Sequence, residues 1–225
     1  MKPRLFRQLD RYFHEPVNCL THLFGAVLSL LGTISLIFAS KGSVVHIFSF
    51  VIYGLSSILL YLASSALHGF KVSKAKRRLL LKFDHVGIFC LIAGSYTPIA
   101  LIVLRAYDNV LGWGLFALVW VLAGAGMTLK LRWLDLHHWY STSFYVALGW
   151  LALLVLGPLT KALPTAALLL LMLGGLFYTI GAVIFGLQRP NFYPGVFAHH
   201  ELWHLFVLAG GASHFLMMFW FATPK

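Results

Sequence analysis

The stretch from Thr165 to Leu187 reads TAALLLLMLGGLFYTIGAVIFGL and contains no charged residue. Its length matches the roughly 20 apolar residues that a helix needs to cross the hydrocarbon core of a bilayer. An open strand is excluded for such a run, because unpaired backbone groups are too costly in lipid. Lys161 and Pro164 precede the run and Arg189 follows it, so it is bounded on both sides. The stretch predicts one transmembrane helix.

Six further apolar runs have the same character and are separated by polar, Pro-bearing or Gly-bearing segments. The composition agrees, with 60% hydrophobic residues, 10% charged residues and a mean hydropathy of +0.85, whereas soluble domains are about 25% charged. We therefore predict an all-α integral membrane protein, a seven-transmembrane helix bundle in residues 19–221, with an N-terminal segment 1–18 and a short tail 222–225. The predicted spans are Cys19–Ser40, Ser43–Leu67, Phe83–Leu104, Val110–Leu129, Ser141–Leu159, Thr165–Leu187 and His199–Phe221.

The basic residues predict the orientation of the bundle. With an odd number of spans, all but four of the 17 Lys and Arg residues fall in the N-terminal segment or in loops on its side of the membrane. The positive-inside rule makes that side cytoplasmic, so the N-terminus is expected in the cytoplasm and the C-terminus outside. The net charge of +11 then reflects topology and contact with anionic headgroups. No nucleic-acid partner is expected.

Ionisable residues gather at one depth of this predicted bundle. Among only six acidic residues, Asp84 and Glu201 are the two that fall within spans, and both lie at cytoplasmic ends. His68 ends the second span at the same level, and His200 and His204 open the seventh. Ionisable groups at membrane depth are costly and are functional candidates for that reason.

The spacing of His200 and His204 suits a metal. Residues four apart share one helix face, with Cβ atoms about 6 Å apart, and two imidazoles so placed can bind one Zn²⁺. His68 can supply a third ligand, and three protein ligands plus water is the arrangement of a catalytic zinc. Copper, nickel and iron also accept imidazole ligands. His214 lies about 15 Å deeper along the helix than His204, too far to join them.

Three side chains near these histidines are candidates for catalysis. Ser64 lies four residues before His68 on the same face and can hydrogen-bond a water molecule or a developing oxyanion. Asp84 can orient water, act as general base or hold a ligand imidazole, and the sequence leaves these roles open. Glu201 completes an H-E-x-x-H pattern, in which the Glu is the base of zinc proteases. It is the alternative base.

These residues lie in segments that resemble the hemolysin III family. That family is the bacterial branch of the progestin and adipoQ receptor family, within a wider superfamily that includes the alkaline ceramidases. The match covers the whole chain in the family's order. Its segments are Glu15-Pro16-Val17-Asn18 with Thr21-His22, Ser64-x-x-x-His68, residues 83–98, and His200-x-x-x-His204 followed by His214-Phe215.

The resemblance implies a zinc ion held by three histidines, which correspond to His68, His200 and His204. The family's Ser and Asp correspond to Ser64 and Asp84. In eukaryotic relatives this site is tied to hydrolysis of lipid amides such as ceramide. The adiponectin receptors carry Gln in place of Glu201, which argues against an indispensable Glu. A multi-pass protein of the bacterial cytoplasmic (inner) membrane is implied.

Three functions follow as hypotheses. The first is a zinc-dependent intramembrane hydrolase of lipid amides or esters that contributes to membrane lipid homeostasis. The second is a non-catalytic lipid sensor or regulator with a structural zinc. A hemolysin or cytolysin comes third, although no span carries the polar stripe of a pore former. In the first two the expected partners are membrane lipids, as a lipid amide, an ester or a fatty acid.

Overall fold

The structure, a computed structural model, describes residues 3–134 and 138–224, apart from the side chains of Leu5 and His138. Within these residues, seven helices are long and apolar enough to cross a membrane, which confirms the predicted fold class. No β-strand occurs among the described residues. The helices are α1 Arg4–Tyr12, α2 Pro16–Ala39, α3 Val44–Gly69, α4 Lys74–Tyr107, α5 Asn109–Arg132, α6 Trp139–Ala162, α7 Thr165–Leu187 and α8 His199–Ala222.

Most of the predicted spans agree closely with these helices, and α7 matches its prediction at both ends. The division of the chain into segments 1–18, 19–221 and 222–225 stays a prediction. Residues 1, 2 and 225, at its outer limits, lie outside the described residues. The shortest predicted turn, between α2 and α3, is confirmed. There Lys41 and Gly42 adopt positive φ angles of 48° and 79°, which reverse the chain within three residues.

The third span was predicted to begin at Phe83, and this boundary was wrong for the helix. The polar run from Lys71 to Lys82 predicts a loop, but α4 already begins at Lys74. Lys, Arg and Leu favour helix over coil, so the helix continues beyond the apolar stretch as a polar extension. Hydropathy locates the lipid boundary of a helix and not its first residue.

Helix α4 lies at the centre of the bundle. Of the residues in an apolar 18-residue stretch of α4, 67% are buried inside the protein, whereas the corresponding fraction is 17% in α6 and in α7. Helices α3, α5 and α6 pack against α4, while α2 contacts both α3 and α8, and α7 packs against α8. Large apolar side chains point away from this core and are strongly exposed, as Phe38, Val110 and Leu154 are. Such an apolar exterior requires lipid as its solvent.

One end of the bundle holds the first turns of α2, α4 and α8 and the last turns of α3 and α5. Backbone bonds from His14 and Glu15 to the end of α3, and a side-chain bond from Asn18 to Glu201, join these ends. We call it the basic end, because Lys71 to Lys82 lie there. Its location in the cytoplasm stays a prediction.

Candidate metal centre

Three histidines from two helices meet at the basic end. His68 comes from the last turn of α3, and His200 and His204 come from the first turns of α8. One nitrogen from each ring lies within 4.8 Å of the other two. The ring centroids form a nearly regular triangle, with separations of 4.8 Å, 5.0 Å and 4.9 Å. The expected grouping of these residues is therefore present.

The geometry of the triangle suits a metal ion. Tetrahedral coordination with Zn–N bonds of 2.0–2.1 Å sets ligand nitrogens about 3.3 Å apart. The nitrogens lie within 4.8 Å of one another, so closing the triangle takes side-chain movements of only about 1 Å. His68 and His204 are 3% and 2% exposed, and burial excludes competing water. These three side chains can hold a metal ion.

The other ring nitrogen of His68 faces a carboxylate. His68 Nδ1 lies 2.5 Å from Glu15 Oε2, and Asn18 Nδ2 donates to the same oxygen at 3.2 Å. Burial raises the pKa of Glu15, but the interactions with His68 and Asn18 outweigh it. They lower the pKa from 4.5 to about 2. Glu15 therefore stays ionised, as an acceptor beside His68.

Ser64 and Asp84 lie on the membrane side of the histidines. Ser64 is 1% exposed and interacts electrostatically with the carboxylate of Asp84. His68 and His85 interact with that carboxylate as well. All five predicted site residues line a single cavity. The chain therefore brings a hydroxyl, a carboxylate and three imidazoles to one place.

This cavity has a volume of about 420 Å³ and extends from the histidines into the apolar interior. It reaches from His204 to His214, which also lines it, and this separation of ten positions spans about 15 Å along α8. Most of the lining residues are aliphatic or aromatic, for example Leu60, Ile88, Leu91, Ile99, Leu159 and Leu171. Its shape and lining suit a single hydrocarbon chain with a polar group at the histidines.

A second cavity, of about 370 Å³, lies at the basic end between the N-terminal segment and residues 195–201. Its wall includes Asp10, His14, Glu15 and Glu201. His200 lines this polar cavity as well as the apolar one. The histidine triangle thus lies between a polar space and an apolar space.

Known proteins resemble this chain over most of its length. The family described as "Haemolysin-III related" matches residues 11–215. The chain belongs to the hemolysin III family. It is 37% identical to "Hemolysin-3" of Bacillus cereus over 100% of this chain and 99% of that protein. "Hemolysin-3 homolog" of Bacillus subtilis is also 37% identical, over 93% and 94% of the two chains. An adiponectin receptor protein of Drosophila melanogaster is 25% identical over 93% of this chain and 51% of its own length.

In this hemolysin III chain, the side chain of Glu201 caps the start of α8. One carboxylate oxygen accepts the backbone N–H of Ala198 at 2.8 Å, which satisfies a free donor at the start of α8. The other accepts Asn18 Nδ2 at 2.9 Å. Both oxygens are therefore engaged away from the three ring nitrogens. This geometry favours Asp84 over Glu201 as the candidate base.

Two residues beside the histidines had no role assigned from the sequence. The sequence signal for Glu15 is its place in the family-like segment before Pro16. His22 stacks on His204, with centroids 3.7 Å apart and an interplanar angle of 11°, and it is 2% exposed. The signal for His22 was again the family-like Thr21-His22. His214 is half-buried, and its Nε2 lies 3.3 Å from the carbonyl oxygen of Leu171, apart from the triangle.

Proposed function

We propose that this protein is a zinc-dependent hydrolase that cleaves lipid amides or esters within the membrane and contributes to membrane lipid homeostasis. The observation that carries the proposal is the shared cavity. Three histidines able to hold a metal line it together with Ser64 and Asp84. Its aliphatic extension suits the acyl chain of a lipid. The proposal puts the basic end at the cytoplasmic face of a bacterial inner membrane, which the distribution of Lys and Arg supports.

Substrate binding would rest on the apolar wall. Burial of an acyl chain contributes about 0.8 kcal/mol per methylene, so the chain would draw its carbonyl group toward the histidines. The carbonyl would then lie near Ser64 and Asp84, which line the same part of the cavity. Water for the reaction would enter from the polar cavity that His200 also lines.

Zinc held by His68, His200 and His204 would act as a Lewis acid and make water a stronger nucleophile near neutral pH. Asp84 would accept the proton of the attacking water as the new carbon–oxygen bond forms. The same carboxyl group would return that proton to the leaving nitrogen or oxygen as the scissile bond breaks. Ser64, which lines the same cavity as Asp84, would donate its hydroxyl to the developing oxyanion.

The test is turnover of a lipid amide by purified protein reconstituted with zinc, with Asp84→Asn beside the wild type. We expect Asp84→Asn to keep its zinc and to lose turnover by at least about 100-fold, the lower range for a general base. Glu201→Gln is the matched control and should retain most of its turnover, because Gln can still accept one of the two hydrogen bonds. Unchanged turnover in Asp84→Asn would remove Asp84 from the mechanism.

A non-catalytic lipid sensor with a structural zinc is the second candidate. It is favoured by the position of the triangle, since a bound metal would join α3 to α8 while Asn18 joins α2 to α8. Lipid in the cavity would then shift helices that the metal holds together. This function predicts that zinc-loaded wild-type protein binds fatty acid or lipid amide and never cleaves it.

A further inference from the structure

We propose that Glu15 is a positioning residue for the metal centre. Its carboxylate, which precedes the first membrane helix, holds the imidazole of His68 in the orientation that a metal requires. The inference rests on the proposed metal site. It adds Glu15, the residue just before α2, to a site whose histidines come from α3 and α8.

The contact between the two side chains is short and directional. Glu15 Oε2 lies 2.5 Å from His68 Nδ1, and His68 is 3% exposed. A carboxylate only accepts hydrogen bonds, so Nδ1 of His68 carries a proton, and in the neutral imidazole Nε2 then keeps its lone pair. That tautomer leaves Nε2 as the donor atom for a metal. Carboxylates that bind metal-ligating histidines in this way fix both tautomer and ring orientation.

Backbone bonds make this contact part of the fold. The N–H of Glu15 donates to the carbonyl oxygen of His68 at 2.8 Å, and the N–H of His14 donates to that of Gly69 at 3.1 Å. These carbonyls end α3 and lack partners within the helix. Residues 15 and 68 are thus joined twice, through backbone and side chain. The carboxylate is therefore anchored to the same helical turn that supplies the ligand.

A surface ion pair does not account for these contacts. His14 and Arg77 also approach the carboxylate, at 3.2 Å and 3.4 Å. Their side chains are 42% and 37% exposed, however, and exposed pairs of this kind contribute little. The shortest contact is the one to the buried imidazole. Asn18, which donates a hydrogen bond to the same oxygen of Glu15, also donates one to Glu201 at the start of α8. Asn18 therefore links Glu15 to the helix that carries the other two histidines.

The experiment measures zinc affinity by competition with a chromogenic chelator on detergent-purified full-length protein. The variants are Glu15→Gln and, as a matched control, Asp10→Asn, another acid that lines the polar cavity. We expect Glu15→Gln to bind zinc about 10- to 100-fold more weakly, the usual effect of losing such a carboxylate. Asp10→Asn should bind zinc like the wild type. The absorption spectrum of bound Co²⁺ should also change in Glu15→Gln alone.

Each alternative outcome has a distinct meaning. Wild-type affinity in Glu15→Gln would overturn the inference and leave the proposed function standing. A wild type that binds no metal would overturn both. Glu15→Asp keeps the charge but shortens the reach by one methylene, so it serves where Glu15→Gln fails to fold. Its zinc affinity should fall as well, and unchanged affinity there would equally overturn the inference.

A double-mutant cycle separates positioning from a general structural effect. If Glu15 acts through His68, adding Glu15→Gln to a His68→Ala protein should cause no further loss of the residual zinc affinity. Additive losses would show that Glu15 affects the site without His68 and would overturn the assignment. Monodisperse elution of every variant in gel filtration is the control for folding.

Discussion

Under the proposed function, replacing Gly175 with Leu should shorten the acyl chain that the apolar cavity accepts. Gly175 lines this cavity on α7. A Cβ atom there would meet only the ring of Trp150, at 3.6 Å, which is an ordinary contact. At the neighbouring Gly174 a Cβ atom would lie 2.3 Å from the ring of His214, so Gly175 is the position that accepts a side chain. Gly175 is level with His214 and hence about 15 Å from His204.

The size of the effect follows from the volume that the new side chain occupies. A leucine side chain displaces roughly three methylenes of a bound chain, and at about 0.8 kcal/mol each their burial is worth about 2.4 kcal/mol. That free energy corresponds to a roughly 50-fold weaker Kd for chains that reach His214. Chains that end within about 15 Å of the histidines should bind as before.

The assay is displacement of a fluorescent fatty acid by a series of N-acyl lipids that differ by two methylenes, so it does not depend on catalysis. Gly124→Leu on α5 is the control, because a Cβ atom there meets nothing within 4 Å. It brings the same gain in helix propensity. Equal weakening of short and long chains, or no weakening of long ones, would refute the assignment of this cavity to an acyl chain.

Two further predictions distinguish the loss of metal binding from the loss of stability. His204→Ala should lower bound zinc from about one per chain to almost none by elemental analysis, since two imidazoles hold zinc far more weakly than three. His199→Ala should keep it, because that ring instead contacts Asn191 at 3.0 Å; equal zinc in both variants would contradict the ligand assignment. Asp108→Ala removes the cap that accepts the N–H of Leu111 at 2.9 Å and should lower stability by about 1 kcal/mol. Its zinc content should not change, and a lower zinc content would show that the distant cap is coupled to the site.

The transmembrane helices were predictable because their signal is local. Whether a run such as Thr165–Leu187 enters lipid depends on its own composition and on a length of about 20 residues. The grouping of His200 and His204 was predictable for the same reason, since a helix brings residues four apart onto one face. His68 and Asp84 were placed at the same level by counting spans and basic loops. Their common depth needed only the order of the helices.

Contacts between helices required the tertiary structure. Glu15 and His68 are 53 residues apart, and no local period relates them. The stacking of His22 on His204 and the engagement of Glu201 by Asn18 are likewise products of how α2 packs against α8. Depth in a membrane restricts a side chain to a plane, whereas helix rotation and packing decide which side chains in that plane touch. The amino-acid sequence by itself thus determined the spans, their order and the level of the site, and the tertiary structure decided the cavity and the partners of each histidine.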